Sequence, residues 1–299
     1  MAAVETSAPP GPTTPAQPGR RKLTGYWLLL PGALWLGVFF VIPFYSLLAT
    51  SLYDPKGSVL GGYDVTFHLA NFVDAIRDNA DVLVRSLWYA GLATLFCLLL
   101  GYVLAYAIAF KAGRWRNLLL VLVIAPFFTS FLVRTLSWKL ILADDGFVVN
   151  TLQTLHLMGD NDRLLATPVA VIAGLTYNFL PFMVLPLYAS LEKIDHRLIE
   201  AAGDLYASPV RAWFKVTWPL SLPGVVAGTL LTFIPAAGDY INASLLGSPN
   251  QRMVGNVIQN LFSATGDYAA AGALSVILLT IIIGLVLIYV RTAGTEDLV

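Results

Sequence analysis

The stretch 269–290, AAAGALSVILLTIIIGLVLIYV, decides the class of this protein because it carries no charged side chain over its whole length. A helix needs about 20 apolar residues to cross the hydrocarbon core of a bilayer. Similar apolar stretches precede it at 26–51, 86–110, 117–142, 167–190 and 221–246. The pattern predicts an all-α, polytopic membrane protein with six transmembrane helices.

The composition of the whole chain supports the same class. Of its 299 residues, 57% are hydrophobic and only 12% are charged, whereas soluble domains are about 25% charged. The formal net charge is zero, so the basic surface expected of a nucleic-acid-binding protein is absent. The single Cys97 and the scattered His68, His156 and His196 have no metal-ligand spacing. We therefore expect contact with membrane lipid, no nucleic-acid partner and no metal site.

The charges between the apolar stretches predict the orientation. Basic residues concentrate on one side of the membrane, which by the positive-inside rule is the cytoplasm. Those residues are Arg20, Arg21, Lys22, Lys111, Arg114, Arg116, Lys193, Arg197, Arg211, Lys215 and Arg291. Both termini are then cytoplasmic. The proline-rich residues 1–25 are predicted as a disordered tail, 26–290 as the transmembrane domain, and 291–299 as a short cytoplasmic tail.

Motifs of catalysis are missing from the sequence. It contains no Gly-x-Ser-x-Gly, no His-Glu-x-x-His and no phosphate-binding loop ending in Gly-Lys-Ser or Gly-Lys-Thr. We predict that the chain is not an enzyme and binds no cofactor of its own. A stand-alone carrier or channel is the alternative class, but carriers often contain internal repeats and no convincing repeat is visible.

The loop 191–220 is the most informative segment. It is too long for a tight turn and is predicted to form two short helices, the first capped by Asp195 and the second by Ser208 followed by Pro209. Its central motif and its closing proline are Glu200, Ala201, Ala202, Gly203, Asp204, Leu205 and Pro219.

This loop resembles the EAA loop of the permeases of ABC importers. The resemblance implies the type I importer permease fold in the inner membrane. It also implies three partners: a second permease subunit, a dimeric cytoplasmic ATPase that binds ATP and Mg, and an external substrate-binding protein. In such a loop the two alanines let the ATPase approach closely, and Glu200 supplies a charge that accepts hydrogen bonds from it.

Two positions depart from the family pattern. The family glycine corresponds to Tyr206, and the usual leucine before the closing proline corresponds to Trp218. A tyrosine held in the left-handed conformation is strained by roughly 1–2 kcal/mol. We therefore expect that Gly203, or the pair Ser208 and Pro209, makes the turn instead.

Other segments resemble the spermidine/putrescine branch of these permeases. They are 126–135 with Trp138, 177–183 with 186–188, and 233–247. The resemblance implies polyamine transport. Another organic cation, or an iron or phosphonate compound, stays open as the substrate, because selectivity in such systems lies largely in the binding protein.

Charged and aromatic residues within the spans are candidates for the substrate path, because intramembrane charges are expensive. Arg134 and Asp239 each lie roughly 25 Å from the inner face at the usual helical rise. They could pair as a brace, or Asp239 could meet a cationic substrate. Tyr177 and Asn178 precede a mid-span proline, and Tyr240 follows Asp239. These residues suit either an ammonium site or a kinked helix with aromatic packing.

Small residues predict where the helices approach one another most closely. They form two ridges, and we interpret both as ordinary bundle packing. The ridges are Gly101, Ala105 and Ala109, and Gly224, Gly228 and Thr232.

Overall fold

The computed structural model describes residues 21–57, 62, 64–159 and 162–292, with side chains from Trp27 onward. Within these residues the chain is helical apart from turns, irregular loops and isolated bridges, one of which joins Tyr53 and Val65. Most of the predicted tail 1–25, and most of the predicted tail 291–299, lie outside the described residues. The helices are α1 Arg21–Leu36, α2 Ile42–Ser51, α3 Ala70–Tyr106, α4 Arg116–Ile124, α5 Phe131–Ile141, α6 Phe147–Thr154, α7 Pro168–Glu192, α8 His196–Asp204, α9 Pro209–Ala212, α10 Trp218–Ala237, α11 Ile241–Leu246, α12 Val254–Asn260 and α13 Tyr268–Thr292.

Short π-helical segments extend several of these helices. In the described part of the chain, five continuous helical stretches are long and apolar enough to cross a membrane. Those stretches are Trp27–Ser51, Ala70–Lys111, Pro168–Glu192, Pro209–Ala237 and Tyr268–Thr292. A sixth span forms if Gly113–Phe128 and Phe131–Ile141, which are bent by 95°, cross together. The predicted helical class is therefore confirmed, with a count of five or six spans.

The third predicted span, 117–142, is not one continuous helix. The chain tightens into a 3-10 turn at Ala125–Phe128, and Thr129 and Ser130 then adopt extended backbone conformations. The hydroxyl and backbone N–H of Thr129 both donate to the carbonyl of Pro126, at 2.7 and 3.1 Å. In this way the carbonyl of Pro126 and the N–H of Thr129 find hydrogen-bond partners at the break. Helix α5 then begins in a new direction.

The fifth predicted span, 221–246, is interrupted as well. α10 ends at Ala237, and Gly238, Asp239 and Tyr240 separate it from the short α11. Asp239 therefore lies at a helix break and not inside a helix. Discontinuous helices in membrane proteins usually border a cavity or an ion site, because the freed backbone groups need partners there.

The chain divides after Leu47 into two compact units. In the first unit, the large apolar side chains from Trp27 to Tyr45 are exposed, as expected for an element whose surroundings are lipid or other subunits. The second unit contains a bundle in which α3, α7, α10 and α13 pack together. Its core includes Leu175, Met183, Leu187 and Leu274, all fully buried.

The predicted ridges of small residues lie at the closest helix contacts. An added Cβ at Gly228 would lie 2.7 Å from the sulfur of Met183, and one at Gly101 would lie 3.0 Å from its Cγ. Met183 of α7 thus occupies the space that both glycines leave open. The interpretation of these ridges as packing surfaces is confirmed.

A surface ion pair connects the ends of the segment that contains α6. Nε of Arg163 donates to both carboxylate oxygens of Asp144, at 3.1 and 2.9 Å. The Arg163 guanidinium holds the pKa of Asp144 below its usual range. Both side chains are at least half exposed, so the pair orients this segment more than it stabilises the fold.

Candidate functional site

The loop 191–220 folds as the sequence predicts, into two capped helices. The carboxylate of Asp195 accepts a hydrogen bond from the backbone N–H of Arg197 at the start of α8, at 2.9 Å. The hydroxyl of Ser208 accepts one from the N–H of Arg211 at the start of α9, at 3.4 Å. Both predicted caps are confirmed, and Pro219 lies in the first turn of α10.

The central motif of this loop lies on the surface of the chain. Glu200, Ala201, Gly203, Asp204 and Leu205 are exposed, and Ala202 is half-buried. Within the described residues, Glu200 forms no ion pair. A carboxylate in this position is available to a partner that docks on α8.

Tyr206 ends α8 in the left-handed conformation, with φ of 58°. Its backbone N–H donates to the carbonyl of Gly203 at 2.9 Å, and that of Ala207 donates to Ala202 at 3.0 Å. These two bonds form a Schellman cap, in which glycine is the usual residue. The expectation that Gly203 or the pair Ser208 and Pro209 makes the turn is therefore wrong. The tyrosine side chain is 96% exposed.

Aromatic contacts attach the two ends of the loop to α3. The rings of Trp213 and Trp218 lie 5.4 and 5.2 Å from the ring of Tyr102, whose hydroxyl is 3.0 Å from Oγ of Ser221. His196, at the start of α8, makes an edge contact with Phe110 at 5.1 Å. Trp218, which replaces the family leucine, thus helps to fix the loop to the bundle.

A charged contact braces the same end of the bundle. Arg116, at the start of α4, pairs with Glu192 at the end of α7. Its guanidinium also lies over the ring of Tyr188, 5.0 Å from the centroid, and donates to the tyrosine hydroxyl. The loop therefore starts at the end of α7, and an ion pair holds that helix end in place.

A second group of polar residues is buried inside the bundle, at the two helix breaks. The side-chain N–H₂ of Asn178 on α7 donates to Oγ1 of Thr135 on α5, at 3.1 Å, and to Oδ1 of Asn242 on α11, at 3.0 Å. Asn242 in turn donates its side-chain and backbone N–H to the carboxylate of Asp239, at 3.2 and 2.8 Å. We call Thr135, Asn178, Asp239 and Asn242 the polar network.

The hydrogen bonds from Asn178 to Asn242 and from Asn242 to Asp239 all run in one direction along the polar network. Asn178 and Asn242 both donate toward Asp239, so their dipoles support a negative charge at that carboxylate. The Oδ1 atom of Asn178 is buried and has no hydrogen-bond partner among the described residues. A carboxylate can accept more hydrogen bonds than the two that Asp239 receives. Within the described part of the chain, the network therefore has acceptor capacity that is not used.

Arg134 and Asp239 do not pair. Among the described residues, the ion pairs are Arg85 with Asp81, Arg116 with Glu192, and Arg163 with Asp144. Arg134 is 8% exposed, and its guanidinium lies over the rings of Phe127 and Phe131, at 5.2 and 5.6 Å from their centroids.

The remaining predicted path residues are neighbours of the polar network in the chain, since Tyr177 precedes Asn178 and Tyr240 follows Asp239. The ring of Tyr177 contacts Trp138 at 5.3 Å, and Tyr177 and Tyr240 are 36% and 42% exposed. The carbonyl of Tyr240 accepts a hydrogen bond from Nδ2 of Asn256 at 2.7 Å. The structure thus brings Asn178 and Asp239 into one network, and it places the two tyrosines at the edge of the buried region.

Sequence reasoning missed Thr135 and Asn242, which complete the network. Their signal in the sequence is a polar side chain inside an apolar stretch, but serines and threonines that bond only to their own helix give the same signal. Thr94, for example, donates to the carbonyl of Ala90 four residues earlier, at 2.7 Å.

A polar pocket of about 830 Å³ borders α11 at Ala243 and Ser244. Its walls come from the first part of α3 and from the segment between α11 and the end of α12. They carry mostly amide, hydroxyl and charged groups, among them Asn79, Asp81, Arg85, Ser244, Arg252, Asn256 and Gln259. Nε of Arg85 donates to the carbonyl of Arg252 at 2.9 Å.

Comparison with known proteins decides the family. Residues 87–293 match the model of the binding-protein-dependent transport system inner membrane component. The chain belongs to this family. It is therefore a multi-pass permease of the inner membrane, and the loop 191–220 and the polar network lie within the matched region.

The chain is similar to several permeases of bacterial transport systems. The spermidine/putrescine transport system permease protein PotB of Haemophilus influenzae is 38% identical over 86% of this chain and 90% of its own length. PotB of Escherichia coli is 38% identical over 85% of this chain and 92% of its own. The inner membrane ABC transporter permease protein YdcU of Escherichia coli is 29% identical over 95% of this chain and 97% of its own length.

Solved structures share the fold of the permease. A chain of a bacterial ABC transporter involved in the import of the acidic polysaccharide alginate superimposes with a TM-score of 0.73. The superposition covers 93% of this permease and 97% of that chain, at 19% identity. A second structure, of the alginate transporter in complex with an alginate pentasaccharide-bound periplasmic protein, gives a TM-score of 0.68 at 20% identity.

Proposed function

We propose that this permease imports polyamines such as spermidine and putrescine as one subunit of an ATP-driven importer. The observation that carries the proposal is its similarity, over nearly the full length, to permeases named for those two substrates. At 38% identity, the spans and the path between them are expected to serve related chemistry.

The polar network suits a polyamine. Asp239 supplies a negative charge, and Asn178 supplies an unpartnered carbonyl oxygen. An ammonium group on an extended aliphatic chain needs such acceptors at intervals, with aromatic faces between them. Tyr177, Trp138 and Tyr240 provide aromatic surface at the border of the network.

The proposed importer contains four kinds of component. This permease pairs with a second permease subunit, and an external binding protein delivers the substrate to the two. A dimeric cytoplasmic ATPase binds ATP and Mg and docks on the loop 191–220, which places both termini of the permease in the cytoplasm. Closure of the ATPase pair pushes on α8, and the spans rock between outward-facing and inward-facing states.

The first test is uptake of labelled spermidine by cells that express this permease with its partner subunits, with and without the ATPase. We expect uptake to require the ATPase and to fall at least about tenfold in Asp239→Asn, because the network then loses its charge. The matched control is Asp78→Asn, which removes an exposed carboxylate outside the network.

The outcomes of this test separate the alternatives. Uptake that persists without the ATPase would mean a stand-alone carrier. An assembled complex that hydrolyses ATP but transports no spermidine would assign another substrate. Competition by other organic cations, or by iron and phosphonate compounds, then identifies that substrate.

The second test concerns docking of the ATPase. Glu200→Ala is expected to leave the permease inserted and the ATPase active, but to reduce uptake at least about tenfold, because α8 loses its exposed charge. Uptake and ATP hydrolysis are measured on the same preparation. Normal coupled uptake by this variant would show that Glu200 is not part of the docking contact.

A further inference from the structure

Arg134 is a buried cation without a counterion. It lies in the first turn of α5, directly after the break in the third span, and 8% of it is exposed. Two of its three guanidinium nitrogens, Nε and Nη1, are buried and have no hydrogen-bond partner in the part of the chain that the structure describes. Within the described residues no carboxylate pairs with it.

The guanidinium is nevertheless held in a defined place. It lies over the rings of Phe127 and Phe131, which flank the break on either side. Aromatic faces attract cations, but they satisfy none of the N–H donors. A charge buried in this way is costly and, inside a membrane, usually marks a functional position.

The residue that follows Arg134 in α5 is Thr135, a member of the polar network. Thr135 accepts a hydrogen bond from Asn178, and Asn178 is bonded to Asn242, which holds the carboxylate of Asp239. A fixed carboxylate at this depth attracts every small cation, because the low dielectric of the surroundings strengthens its field. Arg134 adds a fixed positive charge in the same part of α5 that contributes Thr135 to the network.

We propose that Arg134 is an electrostatic barrier that keeps the resting importer closed to small cations. The proposal rests on the proposed function, since it assumes that the substrate passes the polar network. A fixed arginine can exclude cations from a pore by charge alone. The break at Thr129 and Ser130 gives α5 a hinge, so that ATP-driven motion of the spans can move the barrier aside during transport.

The test measures leakage through the resting complex. The four-component importer is reconstituted in liposomes without ATP, and efflux of choline, a permanent cation, is compared with efflux of erythritol, a neutral solute of similar size. Arg134→Met removes the charge but fills the same space, a change that buried ion sites often tolerate. Arg134→Lys keeps the charge, and Arg77→Gln removes an exposed arginine elsewhere.

We expect Arg134→Met to raise choline efflux about tenfold or more over the unaltered complex, with erythritol efflux unchanged. Arg134→Lys and Arg77→Gln should leak no more than the unaltered complex. Arg134→Gln repeats the removal of charge with a polar side chain, in case the methionine variant fails to assemble.

Three results would overturn the proposal. Choline efflux could stay unchanged in both neutral variants. Efflux of both solutes could rise together, which would indicate a hole left by the missing side chain. Arg134→Lys could leak as much as Arg134→Met, which would exclude a role for the charge. Failure of the proposed function is distinguishable, because it appears as absent ATP-driven spermidine uptake by the unaltered complex.

Discussion

Replacing Gly224 by alanine is expected to force two central helices apart. Gly224 lies in α10 where this helix crosses α7. An added Cβ would lie 2.6 Å from Cβ of Ser190, 2.7 Å from the carbonyl oxygen of Pro186 and 3.1 Å from Cα of Leu187. Two of these three atoms belong to the backbone of α7, so the contact cannot be relieved by a side-chain rotation.

The size of the effect follows from two opposing terms. Overpacking a well-packed site costs about 1–3 kcal/mol, whereas alanine in place of glycine favours a helix by about 0.5–1 kcal/mol. Taken from the middle of each range, the net loss in the free energy of unfolding is about 1 kcal/mol, within limits of about 0 and 2.5 kcal/mol. For a domain of this size, a loss of about 1 kcal/mol lowers the unfolding midpoint by about 2–4 °C.

The assay is thermal unfolding of the purified permease complex in one detergent. Gly284→Ala is the matched control, because an added Cβ at Gly284 in α13 has no atom within 4 Å. The control should unfold at the original temperature or slightly above it. If Gly224→Ala proves as stable as Gly284→Ala, the inference that α7 and α10 are in backbone contact at this glycine is refuted.

Three further predictions concern the loop, the network and the surface ion pair. Tyr206→Gly should remove about 1–2 kcal/mol of left-handed strain and slow hydrogen exchange in the last turn of α8; faster exchange would contradict a strained turn. Asn242→Leu should leave buried donors and acceptors unpaired, at about 1–3 kcal/mol each, and lower the unfolding midpoint, whereas Asn260→Leu on the exposed face of α12 should not. Arg163 lowers the pKa of Asp144. The stabilising contribution of their ion pair is therefore fully present above the unfolded pKa of about 3.9, and it is lost as the pH falls through the lower pKa of the folded state. A spin label on α6 should therefore become more mobile below that pH, and Asp144→Asn should be mobile at every pH.

The positions of two continuous helices could be predicted because the bilayer sets the length of a span and excludes charge, whereas α3 begins at Ala70, well before the predicted start at residue 86. The stretch 269–290 forms α13, and 167–190 forms α7, each within about two residues. The two helices of the loop were also predictable, since Asp195 and Ser208 cap through local hydrogen bonds that need no tertiary contact.

The breaks in the third and fifth spans could not be predicted from the same patterns. Both sides of each break are largely apolar, so hydropathy alone does not mark its position. Proline is not diagnostic either, because Pro181 and Pro186 lie inside the uninterrupted α7, whereas Pro126 precedes a break. Neighbouring helices decide which proline ends a helix, and they are far apart in the sequence.

The same breaks explain why the brace between Arg134 and Asp239, one of the two alternatives that the sequence left open, does not form. Equal depth brings the two residues together only if both helices are straight, but α5 turns away by 95° and Asp239 lies between α10 and α11. Asn242, three residues beyond Asp239, donates a hydrogen bond to the Asp239 carboxylate instead. Left-handed Tyr206 escaped prediction because an intrinsic cost of roughly 1–2 kcal/mol argued against a tyrosine there, although the two backbone hydrogen bonds of a Schellman cap close at this position.

The broken third span also has a consequence for how the chain enters the membrane during synthesis. The segment carries a helix break and, just after it, a charge, and a charge within a span costs up to about 2.5–3.5 kcal/mol in insertion. Its neighbours Asn178 on α7 and Asn242 on α11 are synthesised later. The insertion machinery therefore has to shelter this segment until α7 emerges. A ribosome that stalls before Pro168 would leave a chain whose third span is a target for quality-control proteases.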